Sequence, residues 1–487
     1  MFSPDILLLG FLIAPFAHCA AIALAAPSPI LRDTVNIVFA IAYAGIALTL
    51  AVQHDSGYIA YLWLAQPLPT ADFAFAPEPL GLVAAATFAG LGALNAPFAA
   101  GYFRALGDHA PARAQCWIAL SIGFACAAAL AANLITFLLC YQGLIVASFP
   151  LAAHRGDAAA RRDGRIYLAV LLTSTVALLL PAMAWTHALA GRLDFVGGGL
   201  LTGHIAAGEA DVLLALFAFG FAGAALMPLH VWLPSAMRAP APAAGVVHAV
   251  AVASVGALGL FKTSALIFGG AMSVTVIARP ALLIVAMAGA CFAALLALSK
   301  DDLKLRIGYS TIAHIALCAA GAMLATPLAT FAAAFQIVAH GLAKASLMFT
   351  AGAVEAVTGR TRVSELSGLG RRMPWAFFAF ALAALSLSAC PPLAGAWPLL
   401  WLSASADHAG MMWVAAWLVI SALLNFALFG PVAGKALFGP APQHPFDRPD
   451  AASPVLILPV ALAGLALVGL LFLIDPLSRF LGVRLSP

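Results

Sequence analysis

"MPLHVWLPSAMRAPAP", Met227 to Pro242, interrupts a long apolar stretch with four prolines, His230, Trp232 and Arg238. Proline lacks a backbone donor and clashes with the preceding turn, so a helix running into Pro228 must break there. Inside a bilayer, freed backbone groups persist only where protein buries them or where they line a wet cavity. The break therefore matters only if the flanking runs cross a membrane, and composition settles that. Of 487 residues, 64% are apolar and 9% charged, with a mean hydropathy of +1.04. A soluble globule carries about 25% charged residues. The chain reads as an all-α integral membrane protein.

A hydrocarbon core of roughly 30 Å takes about 20 apolar residues of helix. Cutting at charged or Pro/Gly-rich breaks gives about fourteen transmembrane helices: 6–26, 34–51, 80–103, 115–132, 133–153, 166–188, 212–230, 242–268, 276–298, 307–325, 328–353, 374–403, 410–433 and 453–474. The fourth and fifth share one unbroken apolar stretch, so their separation rests on length alone. Spanning strands are excluded, because no run alternates with period two.

Sixteen of the 23 Lys and Arg residues, Arg448 among them, lie in loops after odd-numbered spans. Four (Arg192, Arg279, Arg479 and Arg484) lie after even-numbered spans or in the tail. The positive-inside rule then puts the odd loops in the cytoplasm and both termini outside, as in a multi-pass protein of the cell inner (cytoplasmic) membrane. Basic residues scattered in this way mark topology, and no nucleic-acid partner is expected from the net charge of +4. The first apolar run lacks a basic n-region and is too long for a signal peptide, so it reads as a span. The seven cysteines show no CxxC spacing and read as packing residues. No nucleotide, zinc or nucleophile motif is present, so neither bond chemistry nor a cofactor or metal is expected in this chain.

Ionisable groups within spans are costly and are functional candidates by default. They are His230 and Arg238 around the opening stretch, His248 and Lys262 in the eighth span, His314 in the tenth, and His340 with Lys344 in the eleventh. The last two are one helical turn apart and share a face. Lys262 and Arg238 lie near segment ends, where snorkelling to the headgroups accounts for them. His18 and His187, within or at the edge of spans, carry little weight. Lys344 is too deep to snorkel easily. All 19 acidic residues lie in loops or at span ends, and none falls between Asp211 and Asp301. Lys344 is thus expected to lack a carboxylate partner and to be held by water, histidine or backbone carbonyls.

Two spans are broken by proline: the seventh at Pro228, and the twelfth at Pro391 and Pro392 in "CPPLAGAWP". They stand five spans apart, so each ends a comparable five-helix block, and because five is odd the two blocks are inverted repeats. Interrupted helices at matching places in two repeats point to an ion or substrate path. The corresponding division is a three-helix segment over 1–114, repeats over 115–268 and 276–433, and a C-terminal loop with the last span over 434–487. The plain alternative is a pair of packing kinks.

"ALMPLHVWLPSAMRAPAPAAGVVHA" from Ala225 resembles the signature of the antiporter-like membrane subunits of respiratory complex I (NADH:quinone oxidoreductase), Mrp-type cation/proton antiporters and membrane-bound hydrogenases. "SKDDLKLRIGYSTIAHI" from Ser299, "HGLAKASLMFTAGAVEAVTGRTRVSELSGLGRRMP" from His340 and "PPLAG" from Pro391 agree, in order, over roughly residues 80 to 430. The resemblance implies fourteen helices, two inverted five-helix repeats that each form a half-channel, and a hydrated polar axis joining them. It also implies other membrane subunits as partners, protons or monovalent cations as cargo, and redox work done outside this chain.

Four positions depart from the family pattern. Gln142 stands where a glutamate is usual in the fifth span, and Gly223 where the seventh-span lysine precedes the breaking proline. Ser254 replaces a lysine of the eighth span, and Leu399 a lysine or glutamate of the twelfth. Gln142 cannot titrate, so the N-terminal half-channel reads as disabled. A histidine line of His248, His340 and His314 with Lys344 is left, either as a proton relay or as hydrogen-bonded structural groups. Two functions follow: a subunit that still conducts, or a non-pumping scaffold that anchors a partner complex, a carbon-uptake partner included. An unrelated solute carrier is disfavoured by the few polar side chains at mid-membrane.

Overall fold

The computed structural model describes residues 3–68, 71–440 and 453–483, which are overwhelmingly helical. In chain order the elements begin with α1 (Pro4–Ala25), α2 (Pro29–Asp55), β1 (Leu62–Leu68), β2 (Ala71–Phe75), α3 (Pro79–Leu106), α4 (Pro111–Ala129), α5 (Leu134–Ala152) and α6 (Ala158–Ala190). They continue with α7 (Ala207–Gly220), α8 (Trp232–Ala236), α9 (Ala243–Val274), α10 (Ala278–Leu298), α11 (Leu303–Leu324) and α12 (Pro327–Thr358). The chain ends in α13 (Pro374–Leu387), α14 (Ala396–His408), α15 (Trp413–Phe438) and α16 (Pro454–Phe480). Among the described residues, twelve helices are long and apolar enough to cross a membrane. The segment expected as the seventh span, 212–230, is the body of α7 and a break with one 3-10 turn at Ala222–Ala224, α8 coming after it, and the twelfth is α13 and the start of α14 around a second break. Arg448 and Arg484 lie outside the described residues.

Local chemistry sets the boundaries. Seven helices start at a proline in the first turn, among them α3, α4 and α12, where its missing N–H has no helical partner to lose. The apolar stretch shared by the fourth and fifth spans is cut at Asn133, whose side chain accepts from the Thr136 N–H at 2.9 Å and caps α5. The β1–β2 hairpin has no counterpart among the sequence expectations. It is antiparallel, with Leu62 opposite Phe75, and is fastened to α5 by Asn133 Nδ2, which donates to the Asp72 carbonyl at 2.8 Å.

The first break runs from Phe221 to Val231. Ala225 takes a left-handed backbone (φ 50°), and Trp232 Nε1 donates to the Ala222 carbonyl at 2.8 Å, closing the loop on itself. The second runs from Ser388 to Gly395. Ala389 is likewise left-handed (φ 53°), and the Gly395 N–H donates to the Ser386 hydroxyl at 3.1 Å. A Cβ at Gly395 would collide with the Ser386 carbonyl, so the close approach requires glycine.

Packing is layered from inside outward. The most apolar stretch of α9 is wholly buried, and α11 and α12 are nearly so, whereas α1 and α2 bury only 28% of theirs. α12 packs against α3, α11, α13 and α16, and α1 against α2 and α4. Large apolar side chains such as Leu24, Phe438 and Phe472 are the most exposed, as lipid-facing surfaces require. The inner helices α9, α11 and α12 are therefore those on which a polar side chain is hidden from lipid.

Candidate functional site

These three inner helices carry His248, His314, His340, Lys262, Lys304 and Lys344, all buried. His340 and Lys344 lie one turn apart on α12, and His314 on α11 brings its ring to 5.6 Å from that of His340, centroid to centroid. Gln336, one turn before His340, donates from Nε2 to His314 Nδ1 at 3.3 Å. Lys344 Nζ donates to the Ser310 hydroxyl and to the Ile307 carbonyl at 3.4 Å, both on α11, and lies 5.6 Å from the centre of the Phe429 ring. No carboxylate pairs with Lys344 among the described residues, and a hydroxyl and a carbonyl take that place.

His248 joins through the backbone. α9 is π-helical over Ala243–Val252, and within that widened turn the Ala249 carbonyl accepts from His340 Nε2 at 3.4 Å. The His248 ring meets Tyr167 of α6 edge-on at 5.1 Å, and the Tyr167 hydroxyl is 2.5 Å from that of Ser148 on α5. A line thus runs from Ser148 through Tyr167, His248 and His340 to His314, with Lys344 beside it. Both ring nitrogens of His248, His340 Nδ1, His314 Nε2, Gln336 Oε1 and Ser254 Oγ are buried without a protein hydrogen-bond partner. Such a concentration of unsatisfied groups is abnormal for a sealed core.

His230 is not brought into this group. It is half-buried at the first break, where Pro228 is exposed, and Pro391 and Pro392 are likewise exposed at the second. His18 is a buried group bonded to Asn36 Oδ1 at 3.1 Å, and His187 sits in the last turn of α6.

Two ion pairs flank the line. The first corrects an expectation: Lys262 does not snorkel, but is wholly buried, donates to the Ala131 carbonyl at 3.2 Å and pairs with Glu78 at 3.0 Å. α9 continues a further three turns past it, so the position is interior and not terminal. Arg238 is half-exposed and pairs with Asp163, a partner distant in sequence. The second flanking pair, Lys304 with Glu355 at 3.4 Å, is joined by Arg155 at 3.2 Å and by the Tyr102 hydroxyl at 3.0 Å. Glu355 follows Lys344 by three helical turns, which puts them on one face of α12 roughly 16 Å apart. That spacing is present in the sequence, but a carboxylate at a span end gives no signal of its own there.

The four neutral positions differ in what surrounds them. Gly223 is sealed: its N–H donates to the Tyr141 hydroxyl at 2.9 Å, and a Cβ would stand 2.6 Å from that oxygen and 2.9 Å from the Val252 carbonyl. Gln142 is half-buried with Nε2 unpartnered, while Ser254 and Leu399 are buried.

Residues 131–425, more than half of the chain, match the family described as NADH:quinone oxidoreductase/Mrp antiporter, TM. The chain belongs to that family. It is 30% identical over 280 residues to NADH-quinone oxidoreductase subunit N of Desulforudis audaxviator, covering 56% of this chain and 55% of that protein. To a Na(+)/H(+) antiporter subunit of Alkalihalophilus pseudofirmus it is 28% identical over 265 residues, covering 54% of this chain and 52% of that one. The matched region thus spans about half the length of each relative. A chain of the membrane-bound sulfane sulfur reductase, an archaeal respiratory membrane complex, superposes with a TM-score of 0.83 at 19% identity, covering 97% of this chain and 96% of that one. At that identity the likeness is one of fold. The matched region contains every member of the histidine line and Lys344.

Proposed function

We propose that this chain is an antiporter-like subunit of a multisubunit membrane assembly, and that protons or monovalent cations cross it along His248, His340, His314 and Lys344. The observation that carries this reading is the convergence of a deep lysine, three histidines and their unpartnered ring nitrogens on the three most buried helices. Water joining these groups would satisfy them and complete a relay, since an imidazole can accept a proton at one ring nitrogen and release one from the other. The ion pairs Lys262–Glu78 and Lys304–Glu355 then stand at opposite ends of the path. Sealed Gly223 and neutral Gln142 leave the N-terminal half without the Glu and Lys pair that the family resemblance implies there. The relatives named as subunits of larger assemblies support partner subunits here, in an inner membrane.

The finer architecture belongs to the same reading: fourteen spans, the two broken ones included, with residues 115–268 and 276–433 as inverted repeats. Pro392 follows Pro228 by 164 residues, as Ala389 follows Ala225 and the start of α14 follows that of α8. Each break is preceded by a helix of 14 residues. Two packing kinks would have no reason to keep this register. The distribution of Lys and Arg supports odd loops in the cytoplasm and both termini outside.

Reconstitution into vesicles with an entrapped pH-sensitive dye tests the function. Proton flux through wild type and its loss in Lys344→Ala are expected. Equal flux in the two proteins would overturn the path through Lys344, and no flux in either would leave the scaffold, for which the neutral Gln142, Gly223, Ser254 and Leu399 are the favouring observation.

A further inference from the structure

Away from the central line, the turn between α3 and α4 and the end of α5 bring together three side chains of another kind. α3 ends at Gly107 in the left-handed region (φ 62°), which reverses the chain so that Asp108 and His109 precede Pro111 at the start of α4. His154 follows α5 directly and is buried, its ring against Phe103. His154 Nε2 lies 3.0 and 3.1 Å from the two Asp108 carboxylate oxygens. His109 Nδ1 is 3.9 Å from Asp108 Oδ1, and the two imidazole rings are 5.0 Å apart. One donor atom from each of the three lies within 4.8 Å of the other two.

We propose that Asp108, His109 and His154 form a binding site for a divalent transition metal, zinc(II) by preference, at the membrane face expected to be cytoplasmic. Two imidazoles and a carboxylate suit zinc, which binds nitrogen and oxygen at about 2.0–2.2 Å. Donors around one tetrahedral ion stand about 3.3 Å from each other, a spacing already met by His154 and Asp108. Only His109 must close in, and its side chain is exposed, with Arg113 at its Nε2. Asp108 is held in place by a second bond, accepting from the Ala110 N–H at 2.8 Å. The fourth position of the ion would face solvent on the His109 side. A bound ion would tie the α3–α4 turn to the end of α5, beside Arg155 and its pair Glu355.

Arg113 opposes the ion. It donates to the His154 carbonyl at 3.3 Å and lies 3.3 Å from His109 Nε2, a cation next to a cation site. Binding requires it to leave His109, so removing its charge should strengthen the site.

Tag-free full-length protein in detergent, titrated with Co²⁺ and followed by visible absorption, tests this, with Zn²⁺ calorimetry and melting alongside. One equivalent, the intense band of a four-coordinate cobalt ion and displacement by Zn²⁺ are expected, with a Zn²⁺-dependent rise in melting temperature. His109→Ala, at an exposed position, should melt as wild type does without metal yet bind at least tenfold more weakly. His154→Gln should also weaken binding, and Arg113→Gln should strengthen it. His408→Ala, at an exposed histidine elsewhere, should change nothing. No cobalt band, equal affinity in wild type and His109→Ala, or loss of binding in His408→Ala would each overturn the proposal.

Discussion

Gly223 stands where the family resemblance places a lysine, and its surroundings leave no volume for a side chain. Tyr141 fills the position with a hydroxyl that accepts from the glycine's own N–H, so the site has become a packing contact. Even one methyl group is over-packed there, at a cost of about 1–3 kcal/mol. Gly223→Ala is therefore expected to lower the melting temperature in detergent. Gly223→Lys alone should reduce the folded yield without raising proton flux, whereas Lys introduced together with Tyr141→Ala should fold better than the single change. Equal melting of wild type and Gly223→Ala would show that the contact yields. Lys262 teaches the complementary lesson. Reading it as a snorkelling residue follows from a span end placed at residue 268, and its true surroundings depend on Glu78, which the β1–β2 hairpin and the start of α3 deliver from far away in sequence. Removing one partner of a buried pair leaves an uncompensated charge, a loss of about 3–5 kcal/mol, nearer the lower bound for a pair that keeps some contact with solvent. Glu78→Gln should destabilise by that order, and Glu78→Gln with Lys262→Met should recover most of it, as a thermal-melting cycle would record.

At the scale of elements, helices were legible because runs of about 20 apolar residues leave no other structure in a bilayer, and the breaks were legible because proline forbids continuation. The hairpin was not, since it lies between two spans, where hydropathy carries no signal. Contacts between loops were also invisible. Asp301, before α11, accepts from the Ser364 N–H at 2.9 Å and hydroxyl at 2.8 Å, while the Val363 N–H donates to the Asp301 carbonyl at 2.7 Å. These bonds tie the turn between α10 and α11 to the segment after α12. The Ser364 hydroxyl and N–H hold the Asp301 carboxyl below its ordinary value of 3.8. A lowered pKa means that the folded state prefers the ionised form. The tie is present above the ordinary carboxylate range and is lost as pH falls through the lowered value. Hydrogen exchange at the Ser364 amide should accordingly be slower in wild type than in Asp301→Asn at pH 7, after correction for intrinsic rates. The difference should shrink as pH falls below the ordinary carboxylate range and Asp301 is protonated. A difference that persists in acid would place the protection elsewhere.

For the molecule as a whole, the decisive feature on the proposed two-repeat plan is asymmetry between its halves. Both halves keep a broken helix with a left-handed alanine three residues before a proline, yet only the C-terminal half keeps a lysine deep in the membrane among partners that leave its charge unneutralised. The sequence named the lysine and the histidines, because such residues are rare in spans, but it could not assign Ser310, Gln336 and Tyr167 as their neighbours. Those are ordinary residues whose roles arise only when α6, α9, α11 and α12 are packed together. Asymmetry has a consequence that separate substitutions can read. If current follows the histidine line, His314→Leu and Lys344→Ala should each reduce vesicle proton flux at least tenfold, since each removes a titratable member of it. Gln142→Leu, at the vacated glutamate position, should leave flux within about twofold of wild type, because a non-titrating amide contributes no proton step there. Loss of flux in Gln142→Leu at unchanged folded yield would mean that the N-terminal half conducts through hydrogen-bonded water alone, and the reading of that half as disabled would fall while the family membership stands.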